Sequence, residues 1–313
     1  VWGGSAPAKV NLRLEISAPR DDGYHPVETV LQTLDLADDL RLSVRADDQV
    51  TLELTGVPSG ALGPDADNLA VRAADAMRRA LAACGRQAPG VTIHLHKRIP
   101  HGAGLGGGSS DAAAVLRGMN ELLGRPFDTG DLLPIAAHLG SDVPFLVLDR
   151  PRALAWGRGE KTLGLPALPV RPVLIAVPRE PIATGWAYRA LDAHRDSLGS
   201  HSSHSGAPSI ASATEGTVWE GVAARAHNDF EGALFLLRPD LGRIKKILEG
   251  AGARPALLSG SGSALFGVFE DDDGVARAEA AVSGEAAGAA ADGGPSTDTA
   301  LEGLRTYRTR TRG

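Results

Sequence analysis

The sequence predicts an α+β protein, and three observations lead there. Alternating apolar and polar residues fill most of the first sixty positions. Apolar residues at helical spacing follow from Asn68 onwards. The two periodicities then mix without a regular strand–helix repeat, which separates this class from a doubly wound parallel sheet. At 313 residues the chain suits two domains of ordinary size. Pro166, Pro169 and Pro172 cluster where a linker would fall, so the expected units are 1–165 and 166–313.

The elements follow in order. Residues 9–16 alternate, with Val10, Leu12, Leu14 and Ile16 on one face, and read as a strand. Residues 27–36, 40–44 and 50–54 are further strands, the last two separated by Ala46-Asp47-Asp48. Asn68 opens a helix to about Ala83, whose stripe is Ala70, Ala73, Ala74, Met77 and Leu81. Residues 91–96 alternate again, and a helix after the next loop carries Ala112, Val115, Leu116, Met119, Leu122 and Leu123 before Gly124 closes it. A helix over 131–139 ends at Gly140, and Val143, preceding Pro144, is expected to be extended. The second unit starts with a strand at 173–177. Residues 197–216, rich in Ser, Gly, Ala and His, read as a flexible surface insertion. His194, His201 and His204 in and beside it are loop residues with at most adventitious metal affinity. Helices near 227–237 and 240–250, strands at 256–258 and 264–269, and a partly helical stretch at 277–292 complete the chain.

Composition narrows the function. A formal net charge of −6 argues against nucleic acid as the main partner. A single cysteine, Cys84, excludes an intrachain disulfide and a multi-cysteine metal site, and its apolar surroundings suggest a small core residue. No apolar run approaches the roughly 18 residues of a spanning helix, and the first residues show no basic-then-apolar leader. A cytoplasmic globular protein without a membrane partner is the expectation.

One segment carries chemistry. Pro100-His101-Gly102-Ala103-Gly104-Leu105-Gly106-Gly107-Gly108-Ser109-Ser110 lies between a strand and a helix. Five glycines in seven positions let the backbone adopt positive φ and approach a ligand closely. Their amides can converge on an anion at a helix N-terminus. The nucleoside-triphosphatase P-loop needs Gly-Lys-Ser/Thr, and no lysine is present. A dinucleotide fingerprint needs a nearly all-apolar parallel strand before it and an acidic residue ending the next strand. Here the strand alternates, and Asp128 and Asp131 lie at a helix start. A ligand-free glycine turn would lose chain entropy with no return.

The remaining pattern, Pro-x-x-x-Gly-Leu-Gly followed by small residues, resembles the nucleotide loop of the superfamily of galactokinase, homoserine kinase, mevalonate kinase and phosphomevalonate kinase. Five segments in order carry a closer resemblance: Pro7-Ala8-Lys9-Val10-Asn11-Leu12, Gly23-Tyr24-His25-Pro26-Val27-Glu28-Thr29, the loop itself, Gly140-Ser141-Asp142-Val143-Pro144-Phe145 and Asn228-Asp229-Phe230-Glu231. Ser259-Gly260-Ser261-Gly262 adds to them. They resemble the branch that phosphorylates the 2-hydroxyl of a cytidine-diphosphate-linked methylerythritol on the non-mevalonate route to isoprenoid precursors. His101 departs from the small or apolar residue usual at its position.

The resemblance implies a two-domain small-metabolite kinase fold with its site in the interdomain cleft, and ATP as donor with Mg2+. Residues 100–110 would hold ATP, with Asn68 and Lys97 on the adenine side; Asn68 reads equally as a helix N-cap. Asp142 would be the base and Lys9 its partner, although by position alone they read as a turn aspartate and a solvated lysine. Asn11, Tyr24, His25, Thr184 and Tyr188 would form the cytidine end, the two tyrosines sandwiching the base. Asn228-Asp229-Phe230-Glu231 reads as architectural, and residues 259–263 as a hairpin turn or a site element. Metal ligands and oligomeric state are not legible. A sister kinase of homoserine or mevalonate, or a non-catalytic nucleotide sensor, are the rival readings.

Overall fold

The computed structural model describes residues 1–58, 60–199, 217–291, 301 and 303–313. The first sheet is built on two long strands, β1 (Trp2–Ile16) and β2 (Val27–Val44), paired antiparallel with two shifts of register. The 18 residues of β2 serve two neighbours on its other edge. Its first third pairs with β5 (Arg152–Gly157) and its last third with β4 (Val91–His96). β3 (Val50–Thr55) lies parallel to β4, and β6 (Lys161–Gly164) pairs with β5. β8 (His227–Asn228) returns from late in the chain to run parallel to β1. The strands expected at 27–36 and 40–44 are therefore one. Leu36 to Asp39 stays extended, and the Leu36 N–H is taken by Thr309 Oγ1.

Helices α1 (Leu69–Ala83), α2 (Gly107–Leu122), α3 (Thr129–Leu139) and α4 (Val143–Val147) cover one face of this sheet. The predicted stripe of Ala70, Ala73, Ala74, Met77 and Leu81 is buried there against Leu40, Leu42, Ile93 and Leu95. Asn68 N-caps α1 by accepting the Ala70 N–H. Cys84 would continue the stripe, but the helix ends at Ala83 and the thiol is exposed, which corrects the expected core role. Val143 is also corrected. It opens α4, donating its N–H to Gly140 O, and Pro144 sits in the first turn, where a missing N–H costs nothing.

The second sheet is antiparallel, ordered β11 (Arg305–Arg310), β7 (Pro172–Val177), β10 (Leu265–Val268) and β9 (Ala256–Leu258). β7 is buried on both faces. Leu174 and Ala176 pack with α5 (Thr184–Leu198), α7 (Phe230–Leu237), α8 (Pro239–Gly250) and α9 (Asp272–Ala291). Val173, Ile175 and Val177 pack with Ala8, Val10 and Leu12 of β1. A short helix, α6 (Trp219–Ala224), adds Trp219 and Val222 to that core. The single face expected for β1 is thus divided, because Leu14 and Ile16 join the cluster around α5 and α7. Apart from residues 197–199, the glycine- and serine-rich stretch to 216 lies outside the described residues.

Candidate active site

β1 reaches the site through its irregularities. Its register against β2 shifts between Pro7 and Lys9 and again between Asn11 and Arg13, which re-aims the side chains between. The Lys9 N–H leaves the ladder and donates to Leu105 O, 2.9 Å away. Lys9 Nζ donates to Asn11 Oδ1 at 2.9 Å and lies 3.2 Å from Asp142 Oδ2. Asn11 Nδ2 donates to Thr29 Oγ1, which donates to Arg13 O, so the ammonium is held by a chain of bonds rooted in the sheet. The Lys9 side chain is 5% exposed and that of Asp142 31%. Asp142 stands at the N-cap position of α4, yet its side chain makes no capping bond. It faces a cleft of about 280 Å³ instead.

The glycine loop forms one wall. Ala103 and Leu105 are buried anchors, while Gly102, Gly104 and Gly106 between and beside them have φ of +68°, +79° and +70°. Two of these glycines are required twice over. A Cβ on Gly104 would lie 2.1 Å from Ser259 O, and one on Gly106 2.8 Å from Lys9 Cγ. The loop is clamped between β1 and the β9–β10 turn, with Ser259 Oγ donating to Gly104 O and Ala264 N–H to Ala103 O. The 259–263 segment is therefore a hairpin turn that also lines the cleft, through Gly260 and Ser261. Asn228 fixes it from below, donating to Leu258 O and Gly260 O. Glu231 accepts the Leu258 N–H, which fits the architectural reading of that motif. α2 starts at Gly107, and Gly104, Gly106 and Ser109 reach the cleft.

Aromatic groups stand at the other end. Tyr24 and Tyr188 line the cleft, with Phe230 edge-on to Tyr188 at 5.0 Å. Burial pushes the Tyr188 phenol up to about 12, with Tyr24, Asp142 and Asp192 adding to the effect. The His25 ring is buried behind Tyr188 at 4.9 Å, its Nε2 2.8 Å from Asp192 Oδ1. Thr184 Oγ1 and Ser261 Oγ lie 3.1 Å apart across the cleft, as do Tyr24 Oη and Ser141 Oγ at 3.3 Å.

The structure thus brings Lys9, Asn11, Tyr24, Gly104, Gly106, Ser109, Asp142, Thr184 and Tyr188 to one cavity, with His25 one layer behind. Of the other loop residues, Pro100, Ala103, Leu105 and Ser110 are buried, Gly107 is half-buried, and His101, Gly102 and Gly108 are exposed. Lys97 is a correction as far as its ammonium is concerned. Nζ is buried between Asp38 and Asp111, at 2.6 Å from Asp111 Oδ2, and does not reach the cleft. Asn68 spends its acceptor on the α1 cap. Thr29, Ser141 and Phe230 lie within the quoted motifs but carried no assigned role. Arg158 and Gly159 lie outside them, in the β5–β6 turn, and the only signal there is the Gly157-Arg158-Gly159 spacing of a tight hairpin.

Residues 68–150 match the family described as GHMP kinases N terminal domain, and residues 213–288 that described as GHMP kinases C terminal. Fold and site therefore define a small-molecule kinase. A 4-diphosphocytidyl-2-C-methyl-D-erythritol kinase of Solibacter usitatus (strain Ellin6076) is 42% identical over 87% of this chain and 83% of its own length. One of Geobacter sp. (strain M21) is 39% identical over 88% and 92%. A crystal structure of 4-(cytidine 5'-diphospho)-2C-methyl-D-erythritol kinase superposes over 100% of both chains with a TM-score of 0.73 and 34% identity. Homoserine kinase from Cytophaga hutchinsonii covers 99% of this chain and 94% of its own at 0.67 and 18% identity, which shows the fold alone. The chain belongs to the 4-diphosphocytidyl-2-C-methyl-D-erythritol kinase family.

Proposed function

We propose that the protein transfers the γ-phosphoryl group of ATP to the 2-hydroxyl of 4-diphosphocytidyl-2-C-methyl-D-erythritol, in non-mevalonate isoprenoid precursor synthesis. The observation that carries this reading is the joint location of a lysine–aspartate pair, a positive-φ glycine loop and two tyrosines on one cleft. Asp142 accepts the hydroxyl proton as the oxygen attacks the γ-phosphorus, and the bond to the β,γ-bridging oxygen breaks to release ADP. The Lys9 ammonium offsets the negative charge gathering on the attacking oxygen. Its place between Asn11 Oδ1 and Asp142 Oδ2 supports that role without side-chain reorganisation.

The amides of residues 102–109 and the N-terminus of α2 suit the triphosphate. Tyr24 and Tyr188 suit the faces of cytosine, with His25, Asn11 and Thr184 around them. Among the described residues no group of three or more His, Cys, Asp or Glu is placed to hold a metal ion. Ser109 and Asp142 are oxygen donors on the cleft wall, which fits a magnesium ion that arrives on ATP and keeps most of its ligands from phosphate and water. Among the described residues no helix is long and apolar enough to cross a membrane.

The test is ADP release with the cytidyl alcohol, homoserine and mevalonate offered separately. Turnover with the first alone is expected. Turnover of homoserine or mevalonate instead, or ATP binding without alcohol-dependent ADP release, overturns the reading.

A further inference from the structure

We infer that Arg158, at the tip of the β5–β6 hairpin, binds the diphosphate of the substrate and makes the enzyme select a diphosphate-bearing cytidine over the bare nucleoside. The inference rests on the reading above and adds a subsite to it. Lys9 and Arg158 bring the positive charge to the described cleft wall, and Lys9 already has a carboxylate at 3.2 Å. A pyrophosphate diester adds two negative charges between the cytidine and the alcohol. Arg158 is therefore the cation left to meet them.

Its position fits that span. The guanidinium carbon lies 4.4 Å from the centre of the Tyr24 ring, at the cytidine end. Gly159 has φ +101° and stands against Ser141, the residue before the base Asp142; a Cβ there would lie 3.0 Å from Ser141 Cβ. The hairpin tip thus bridges the aromatic end and the reacting pair, where the phosphates must pass. Arg158 Nη2 is meanwhile held by Asp22 Oδ2 at 2.8 Å, a pair about half exposed on both sides. An ion pair so solvated is weak, and a planar guanidinium can exchange one carboxylate for two phosphate oxygens in bidentate geometry. The aromatic face beneath it keeps the plane oriented during the exchange.

The experiment compares CDP and cytidine as inhibitors, and the cytidyl alcohol as substrate, in wild type, Arg158→Ala and Arg158→Lys. Wild type is expected to bind CDP more tightly than cytidine. Arg158→Ala should weaken CDP and raise KM for the cytidyl alcohol about tenfold, leaving cytidine affinity, KM for ATP and the melting temperature unchanged. Arg158→Lys should lie between, since it keeps charge without the planar fork. If Arg158→Ala discriminates CDP from cytidine as wild type does, the inference fails while the kinase reading stands. An equal loss for CDP and cytidine would make Arg158 a prop for Tyr24 and also overturns it. Wild type that neither binds CDP nor turns over the cytidyl alcohol sinks the kinase reading itself.

Discussion

Two lysines of the first sheet sit in nearly the same burial and do opposite things. Lys9 is 4% exposed and Lys97 6%, and each ammonium lies against a carboxylate. Lys97 is boxed in. Asp38 and Asp111 both contact it, Asp38 also accepts the N–H groups of Arg98 and Ile99, and Asp111 stands on α2 just beyond the glycine loop. The cluster ties the loop-bearing helix to β2 and β4. Lys9 meets one carboxylate, and that one is part-exposed on a cavity wall with no capping duty. Burial of the cation does not separate the pair proposed to react from a structural one. Spare hydrogen-bonding capacity on the acid, facing a space that a ligand can fill, does.

The comparison breaks most plainly if Asp142 can be neutralised without loss. Asp142→Asn is expected to lower kcat by roughly 10²–10⁴-fold with ATP affinity and stability near wild type, checked by steady-state kinetics, nucleotide titration and thermal melting. A variant with full activity removes Asp142 as the base. Lys97 should fail in the other observable. Lys97→Ala leaves two buried carboxylates without their cation and is expected to cost about 3–5 kcal/mol of stability, measured by denaturant unfolding. If Lys97→Ala unfolds at the wild-type midpoint, the cluster is not the tie described here.

Much of this was legible in the sequence because the signals were local. The α1 stripe, the Asn68 cap and the glycine loop each follow from spacing and backbone chemistry within a dozen residues. Lys9 and Asp142, 133 positions apart, were linked only through the family resemblance; the alternation of β1 made Lys9 look like a solvated strand residue. Lys97 was placed on the adenine side through the same resemblance alone. It follows directly on β4, and the carboxylates that claim its ammonium come from β2 and α2, which no local pattern announces. Val143 shows a local rule overruled, since the loop from Gly140 needed a helical first turn more than proline needed an extended neighbour. β5, β6 and β11 went unread. Residues 305–310 are RTYRTR, an edge strand with polar side chains on a half-exposed surface, where hydrophobic alternation is weakest.

The smallest effect sharpens the contrast through pH. Burial pushes the Asp111 carboxyl up to about 7, with Asp38 adding to the rise and the Lys97 ammonium opposing it. Lys97 is itself raised: burial works against its charge, but the two carboxylates more than reverse that. The directions agree, because two acids share one cation and the acid with the poorer hydrogen bonds keeps its proton. Asp111 Oδ1 is buried without a partner, whereas Asp38 is bonded on both oxygens. The unfolded chain ionises Asp111 near pH 4, so between about 4 and 7 the folded state holds the extra proton. Stability from this group is present below that window, falls as pH rises through it, and is gone above 7. Asp111→Asn cannot lose the proton. Its melting temperature should therefore gain a few degrees on wild type between pH 4.5 and pH 8, with the titrations of groups remote from the cluster cancelling in the difference. Parallel melting curves for the two proteins across that range would mean that Lys97 holds both carboxylates as anions, making the buried cluster an ion pair like the one in the cleft.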